Sequence, residues 1–408
     1  MKTTAKYLIN FIIWTMSIQY ISAKPQDTLR DPVSTIHFEF DGRILIPVKL
    51  NGKTEMKLIL DTGFPQENLL LLMHKELGDD LNLDYVQSVN AARGAGSGEA
   101  KLIHLAVDNE ISVAQVNIKG MTIGVMDDNM KTSSHHNKGV LGGALFIPYI
   151  VKIDFDNQVL DLYEPGSFIP GEGWVEIQLD LSGRQLPVIE TSFSFDSSQL
   201  ITGRFIIDIG AQGNMVLVLD EKSKSGFPGK TIHTLSGTGL RGDVFSDMGR
   251  VAELKLGNYR LDNLISALVP ENDMAETSPI FADINCQGLI GIETLSQFNL
   301  VFDYTRGKMF IRPNKNFGLP FEVNMAGMVI RERTGEKFYV YHVMVDGEAY
   351  SKGLRKGDIL QKINGIAVSE LTYYELKSSF EKAGKSVRLQ IIGNNEIKNV
   401  RLQLARII

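Results

Sequence analysis

Leu58-Ile59-Leu60-Asp61-Thr62-Gly63 ends an apolar run in a carboxylate, followed by a hydroxyl residue and a glycine. Phe205-Ile206-Ile207-Asp208-Ile209-Gly210 repeats the pattern with isoleucine in place of threonine. A lone Asp-x-Gly is ordinarily just a turn. Two of them, each closing a strand-like run, are the parts for activating water. Carboxylates brought face to face cannot both ionise cheaply, so the pair holds one shared proton. The ionised member draws a proton from a water, and the protonated member hydrogen-bonds the substrate carbonyl. These roles fall to Asp61 and Asp208 jointly, because the proton belongs to the pair. Gly63 and Gly210 let each loop turn tightly and leave room for the loop opposite.

The two motifs sit in one repeating frame. Asp61 is followed by Gly139-Val140-Leu141-Gly142 and Ile153-Asp154-Phe155-Asp156, and Asp208 by Gly288-Leu289-Ile290-Gly291 and Phe302-Asp303-Tyr304. The offsets nearly agree: 208 − 61 = 147, 291 − 142 = 149 and 303 − 154 = 149. The chain from Ile36 to Pro313 therefore reads as two copies of a domain-sized lobe rather than a short-period array. Alternating apolar residues around Asp41-Gly42 and Asn51-Gly52 predict two hairpins leading to Asp61. Strands are expected at Asn68–Met73, within Leu102–Met126, and at Val175–Leu179, Thr202–Ile207, Met215–Leu219, Val251–Leu256 and Ser266–Val269. Val86 to Asn90 is ambiguous. The Pro- and Gly-containing Glu164–Gly173 is the expected link between lobes. Asp154 and Asp303 match each other on strands after the glycine motif and read as structural.

The doubled hydrophobic-Asp-x-Gly with its later hydrophobic-hydrophobic-Gly resembles the bilobal aspartic proteases of the retropepsin and pepsin-like kind, over about two thirds of the chain. The resemblance implies a mostly β fold of two duplicated, closed-barrel-like lobes, at 36–165 and 166–313. It implies an extended polypeptide substrate between them and no metal or cofactor. Both carboxylates lie in one chain, so dimerisation is not required for the dyad. Thr62 would cross to the opposite loop and lock the dyad, a service Ile209 cannot return. The glycine-rich segments 93–98 and 236–242 match the family's flaps, with Gly94, Gly96, Gly237 and Gly239 as candidate flap residues; an ordinary mobile loop is the plainer reading of each. Gly237–Gly242 also spells Gly-x-Gly-x-x-Gly, but no helix or βαβ unit follows to make it a dinucleotide site. Ile209, and Phe64 where small residues are commoner, support a second reading: an inactive protease fold used as a peptide-binding or scaffolding module.

Beyond Pro313 the pattern changes. Gly353-Leu354-Arg355-Lys356-Gly357-Asp358-Ile359-Leu360 followed by Ile363-Asn364-Gly365 resembles the PDZ domain of bacterial protease-associated proteins, over 318–408. Helical periodicity is expected across Leu371–Ala383. The resemblance implies a small α+β domain whose turn Ala326-Gly327-Met328 holds a peptide's terminal carboxylate on backbone N–H groups while the peptide adds a strand. The alternative is a module that docks on the lobes.

Composition narrows the setting. With 43% apolar residues in 408, the chain supports several cores. Met1–Ala23 reads as a cleaved secretory signal: Lys2 and Lys6, an apolar stretch from Leu8 to Ile18, then Ile21-Ser22-Ala23. An N-terminal segment, 24–35, follows; Gln26–Ser34 within it reads as a short propeptide or a disordered start. The single cysteine, Cys286, forms no intramolecular disulfide and reads as a buried thiol, which for an exported chain fits a bacterial periplasm. Loss of Lys2 and Lys6 takes the net charge from −6 to −8. No basic patch with interleaved aromatics points to nucleic acid. His135-His136, in the polar stretch Lys131–Lys138, reads as solvated loop rather than metal site.

Overall fold

A computed structural model describes residues 28–29, 31–92, 96, 98–99, 101–127, 138–196, 199–219, 228–270, 280–333 and 336–408. The expected leader, Gly94 and His135-His136 lie outside them. The fold is mostly β, with two closed barrels followed by a smaller sheet domain.

Strands β1 (Thr28–Leu29) and β2 (Ser34–His37) precede the first barrel, formed by β3 (Glu39–Phe40), β4 (Ile44–Leu50), β5 (Thr54–Leu60), β6 (Leu69–Leu72), β7 (Tyr85–Ala92), β8 (Lys101–Val113), β9 (Val116–Met126) and β10 (Gly139–Leu141). Both hairpins expected before Asp61 form, β3–β4 and β4–β5. The ambiguous segment around Val86 is a strand, paired along β8. Strand β5 then pairs in parallel with β10, β10 antiparallel with β6, and β6 in parallel with β9, while β4 meets β8 to close the barrel.

After β11 (Ile150–Asp154), β12 (Val159–Tyr163), β13 (Phe168–Ile169) and β14 (Val175–Gln178), the second barrel repeats this wiring. It uses β15 (Val188–Ser194), β16 (Ile201–Asp208), β17 (Met215–Leu219), β18 (Ile232–Gly239), β19 (Gly242–Leu256), β20 (Tyr259–Pro270) and β21 (Gly288–Gly291). Strand β16 is parallel to β21, β21 antiparallel to β17, β17 parallel to β20, and β15 meets β19. The expected linker is no bare tether: Phe168 within it is fully buried and β13 pairs with β1.

The lobes share a six-stranded base in the order β14-β23-β22-β11-β12-β2, completed by β22 (Phe298–Asp303) and β23 (Lys308–Pro313). Each lobe supplies half, and β11 pairs antiparallel with β22 across the middle. Strand β22 is buried along its whole length, its two polar residues satisfied as Asn299 accepts from Phe155 N–H and Asp303 from Arg306 N–H. Ser34 is buried and its hydroxyl donates to Gln115 at 2.8 Å, so the end of the 24–35 segment is built into the first lobe. Asp154 and Asp303 anchor the turns after β11 and β22: Asp154 accepts from Asn157 N–H, and Asp303 from Arg306 N–H. Cys286 is buried, and burial pushes its thiol up to about 11.

The third domain orders β24 (Met328–Arg333), β25 (Glu336–Val343), β26 (Ile359–Ile363), β28 (Ser386–Gly393) and β29 (Glu396–Gln403), with β27 (Ile366–Ala367) beside β26. Its helix is shorter than the periodicity implied, Tyr373–Ser378 rather than Leu371–Ala383. Thr372 and Glu375 close a capping box at its start. At its end the Ser378 and Ser379 hydroxyls donate back to the Glu375 carbonyl, competing with a further helical turn. Leu376 and Phe380 still reach the core, so the apolar spacing is real although the helix stops.

Candidate active site

Asp61 and Asp208 lie at equivalent ends of parallel strand pairs. Leu60 pairs with Leu141 and Asp208 with Gly291, so each apolar-Gly segment braces the strand carrying the aspartate. Asp61 N–H donates to the Leu141 carbonyl at 3.0 Å, Gly143 N–H to Phe64 O at 2.9 Å, and Ile292 N–H to Ala211 O at 2.9 Å. Glycine is required where these segments cross: a Cβ on Gly142 would overlap the carbonyls of Asp61 and Phe64, and one on Gly291 would lie 2.5 Å from Gly213 O. The buried side chains beneath, Leu60, Leu141, Ile207 and Ile290, are each worth about 1.5–3 kcal/mol against exposure.

The carboxylates face each other closely enough for a single Cβ on Gly63 to meet both, 2.7 Å from Asp208 Oδ2 and 3.0 Å from Asp61 Oδ1. A Cβ on Gly210 would fall inside the Asp61 carboxylate. The two glycines therefore make the approach of the acids possible. Asp61 accepts one backbone N–H, from Gly63 at 2.6 Å. Asp208 accepts two, from Gly210 and Ala211, both at 2.9 Å. Burial and the charge of Asp208 hold Asp61 well above the usual carboxylate range. Burial also raises Asp208, opposed by those N–H donors. With two N–H donors against one, Asp208 is the better-stabilised anion of the pair.

Thr62 is buried and spans the lobes. Its hydroxyl donates to the Ile207 carbonyl at 2.6 Å and accepts from Ile209 N–H at 3.0 Å. Ile209 is fully buried in the main apolar core and offers no hydroxyl in return.

Residues 236–242 form the tip of the β18–β19 hairpin, and the described Gly96 and Gly98 lie between the paired strands β7 and β8. The two touch: Gly98 N–H donates to Arg241 O at 2.9 Å, and Arg241 Nε donates to Gly98 O at 2.6 Å. Gly96 has φ +122° and its backbone lies against that of Arg241 and Gly242, a contact only glycine allows. Gly237 sits beside an irregularity in the β18–β19 register, and Gly239 closes the pairing opposite Gly242. The Gly-x-Gly-x-x-Gly string is thus a hairpin tip.

The C-terminal domain packs on both lobes beside this site. Tyr374 N–H donates to Asp41 at 2.7 Å, Lys377 pairs with Glu293, and Arg331 and Tyr341 both hold Asp243 on the β18–β19 hairpin, Arg331 at 2.8 Å. Arg250 of the second lobe grips the chain end, donating to Ile408 O at 3.1 Å and pairing with Glu322 at 2.7 Å. In the turn Ala326-Gly327-Met328 two N–H groups are already spent: Ala326 donates to Asn324 Oδ1 at 2.9 Å and Gly327 to Asn324 O at 3.2 Å. A peptide carboxylate there would have to exchange those bonds.

Arg43, at the tip of the β3–β4 hairpin, escaped the sequence reading. It lies close enough to Asp61 and Asp208 for their charges to bear on its own. A cation after Asp-Gly in a turn has the signature of any solvated loop, so nothing local marks it out.

Residues 313–404 match the family described as "PDZ domain". No curated protein sequence matches the chain. Among solved structures, the crystal structure of aspartic proteinase from Irpex lacteus is similar, with a TM-score of 0.44 and 11% identity, over 70% of this chain and 98% of that one. The chain thus carries a PDZ domain at its C-terminal end, behind two closed β-barrels.

Proposed function

We propose that this protein is an exported aspartic endopeptidase in which Asp61 and Asp208 activate a water for attack on a peptide carbonyl. The observation that carries this reading is the close face-to-face carboxylate pair, made possible by Gly63 and Gly210 and held by a hydroxyl spanning the lobes. Asp208, the better-stabilised anion, takes a proton from the water. Asp61, carrying the shared proton, hydrogen-bonds the carbonyl oxygen and steadies the charge that develops there. The contacting hairpin tips exclude bulk water and offer backbone N–H and C=O groups to an extended chain. The PDZ domain, against both lobes, docks peptide or substrate. A cleaved leader ending at Ala23 delivers the protein to the periplasm or the medium.

The test is purified 24–408 incubated with a diverse peptide mixture from acid to neutral pH, with products read by mass spectrometry. Asp61→Ala and Asp208→Ala run alongside. Cleavage is expected from the parent, and each variant should lose about 10²–10⁴-fold or more. Because burial raises the pair, the singly protonated state, and with it the activity, should extend above the ordinary carboxylate range. Turnover kept by either variant removes the dyad from the account. The lone cross-lobe hydroxyl supports the second reading, a peptide-binding module, which predicts peptides held but uncut at every pH.

A further inference from the structure

Arg43 stands where three parts of the molecule meet. On one side of its turn, Asp41 accepts the N–H of Tyr374, and Phe40 packs on the Tyr374 ring with centroids 5.7 Å apart. On the other side, a Cβ on Gly42 would lie 3.2 Å from Gln212 Nε2, four residues beyond Asp208. The turn is therefore wedged between the catalytic loop of the second lobe and the helix of the PDZ domain.

Nearby cations are satisfied. Arg331 is paired with Asp243 at 2.8 Å and stacks 3.4 Å over the Tyr341 ring, and Lys377 is paired with Glu293. Arg43 is not. Its Nε is buried without a hydrogen-bond partner, and among the described residues its guanidinium has no ion pair. Burial opposes its charge, while Asp61 and Asp208 favour it. The dyad, however, shares its own proton and lends at most one negative charge. A guanidinium stays ionised under such conditions and presents a planar fork of donors matched to a carboxylate. An unpaired buried donor beside the dyad is costly to keep, and a carboxylate arriving with the substrate would relieve that cost.

We propose that Arg43 is a specificity-determining residue that binds a carboxylate of the substrate, so that the cleft selects extended peptides with an acidic group within a few residues of the bond to be cut. The proposal rests on the cleft being a peptide site. The PDZ helix, whose Tyr374 packs on Phe40 and bonds Asp41, stands beside this subsite.

The test uses the full mature chain carrying Asp61→Asn, which should hold peptides without cutting them. Binding is read by fluorescence anisotropy with fluorescein-labelled peptides taken from the cleavage set, differing by one Glu-to-Gln change or by amidation of the C-terminus. Acidic peptides should bind roughly ten-fold more tightly, as expected for one charge-assisted pair. Arg43→Gln should level the difference, and Arg43→Glu should turn the preference towards lysine-bearing peptides. Loss on Glu-to-Gln assigns the carboxylate to a side chain, and loss on amidation to the chain terminus. Equal binding of acidic and neutral peptides, or a preference that survives Arg43→Gln in folded protein, overturns the assignment while leaving the cleft intact. Failure of every peptide to bind sinks the peptide-cleft reading as well. In the Asp61-intact enzyme, Arg43→Gln should raise KM for acidic peptides alone. A shifted pH profile for all peptides, with KM unchanged, would instead make Arg43 a tuner of the dyad and end its role in recognition.

Discussion

The two aspartate loops share a backbone and differ in chemistry. In the first lobe Asp61 has one N–H donor and its neighbour Thr62 reaches across to Ile207 and Ile209. In the second, Asp208 has two donors and its neighbour Ile209 turns into the core. The parallel strand, the bracing glycine segment and the tight turn are kept in both copies. Duplication has thus preserved what places the carboxylates, while the groups that set their charges have diverged. One loop supplies the link between the lobes and the other supplies the better-held anion. A perfectly symmetric pair would have no built-in preference for where its proton rests.

The largest effect should come from filling the gap between the acids. Gly210→Ala would drive a methyl into the Asp61 carboxylate, and we expect about 10²-fold loss of kcat in protein that still folds, read by steady-state kinetics. Gly63→Ala, 2.7 Å from Asp208, should cost less; equal losses would mean the loops adjust alike. Next comes the threonine–isoleucine contrast. Thr62→Val strands Ile209 N–H and frees the Ile207 carbonyl, an expected destabilisation of about 2–3 kcal/mol by denaturant unfolding. Ile209→Thr should be tolerated, at about 1 kcal/mol or less, with activity kept or raised, because the twin loop already accommodates that hydroxyl. Severe unfolding of that variant would show that the second loop has no room for the reciprocal bond.

The smallest effect is on stability against pH. The folded pair binds its proton above the ordinary value of 3.8, so folding takes up protons as the pH rises past that value. The fold is favoured by this group below 3.8 and loses that advantage as the pH climbs through the raised range. Asp61→Asn should therefore melt at a higher temperature than the parent at neutral pH, with the gap closing in acid. A gap that widens in acid would reverse the assigned direction.

Much of this was legible before any coordinates. The offset between repeats placed the lobes, and the glycines after each aspartate announced a close approach. Local signals carried those elements: alternation for the strands, turn chemistry for the hairpins, and a spaced glycine motif for the PDZ domain. What escaped was set by distant contacts. Asp41 meets Tyr374 across 333 positions, a pairing no pattern within either segment foretells. Arg43 gains its character from burial and from Asp61 and Asp208, groups distant in sequence. The helix at Tyr373 ends early because two serine hydroxyls outbid the apolar spacing that continues beyond them.

The shared base has a bearing on biosynthesis. Strand β11 finds its second partner only when Leu300–Phe302 has been made, about 150 residues later. At roughly 5–20 residues per second, the nascent first lobe waits on the order of ten to thirty seconds with a strand edge open. Such an edge is a template for pairing with the wrong chain. The shared base can be completed only once both lobes have been made, and a truncated chain ending near Pro165 would leave that edge unpaired.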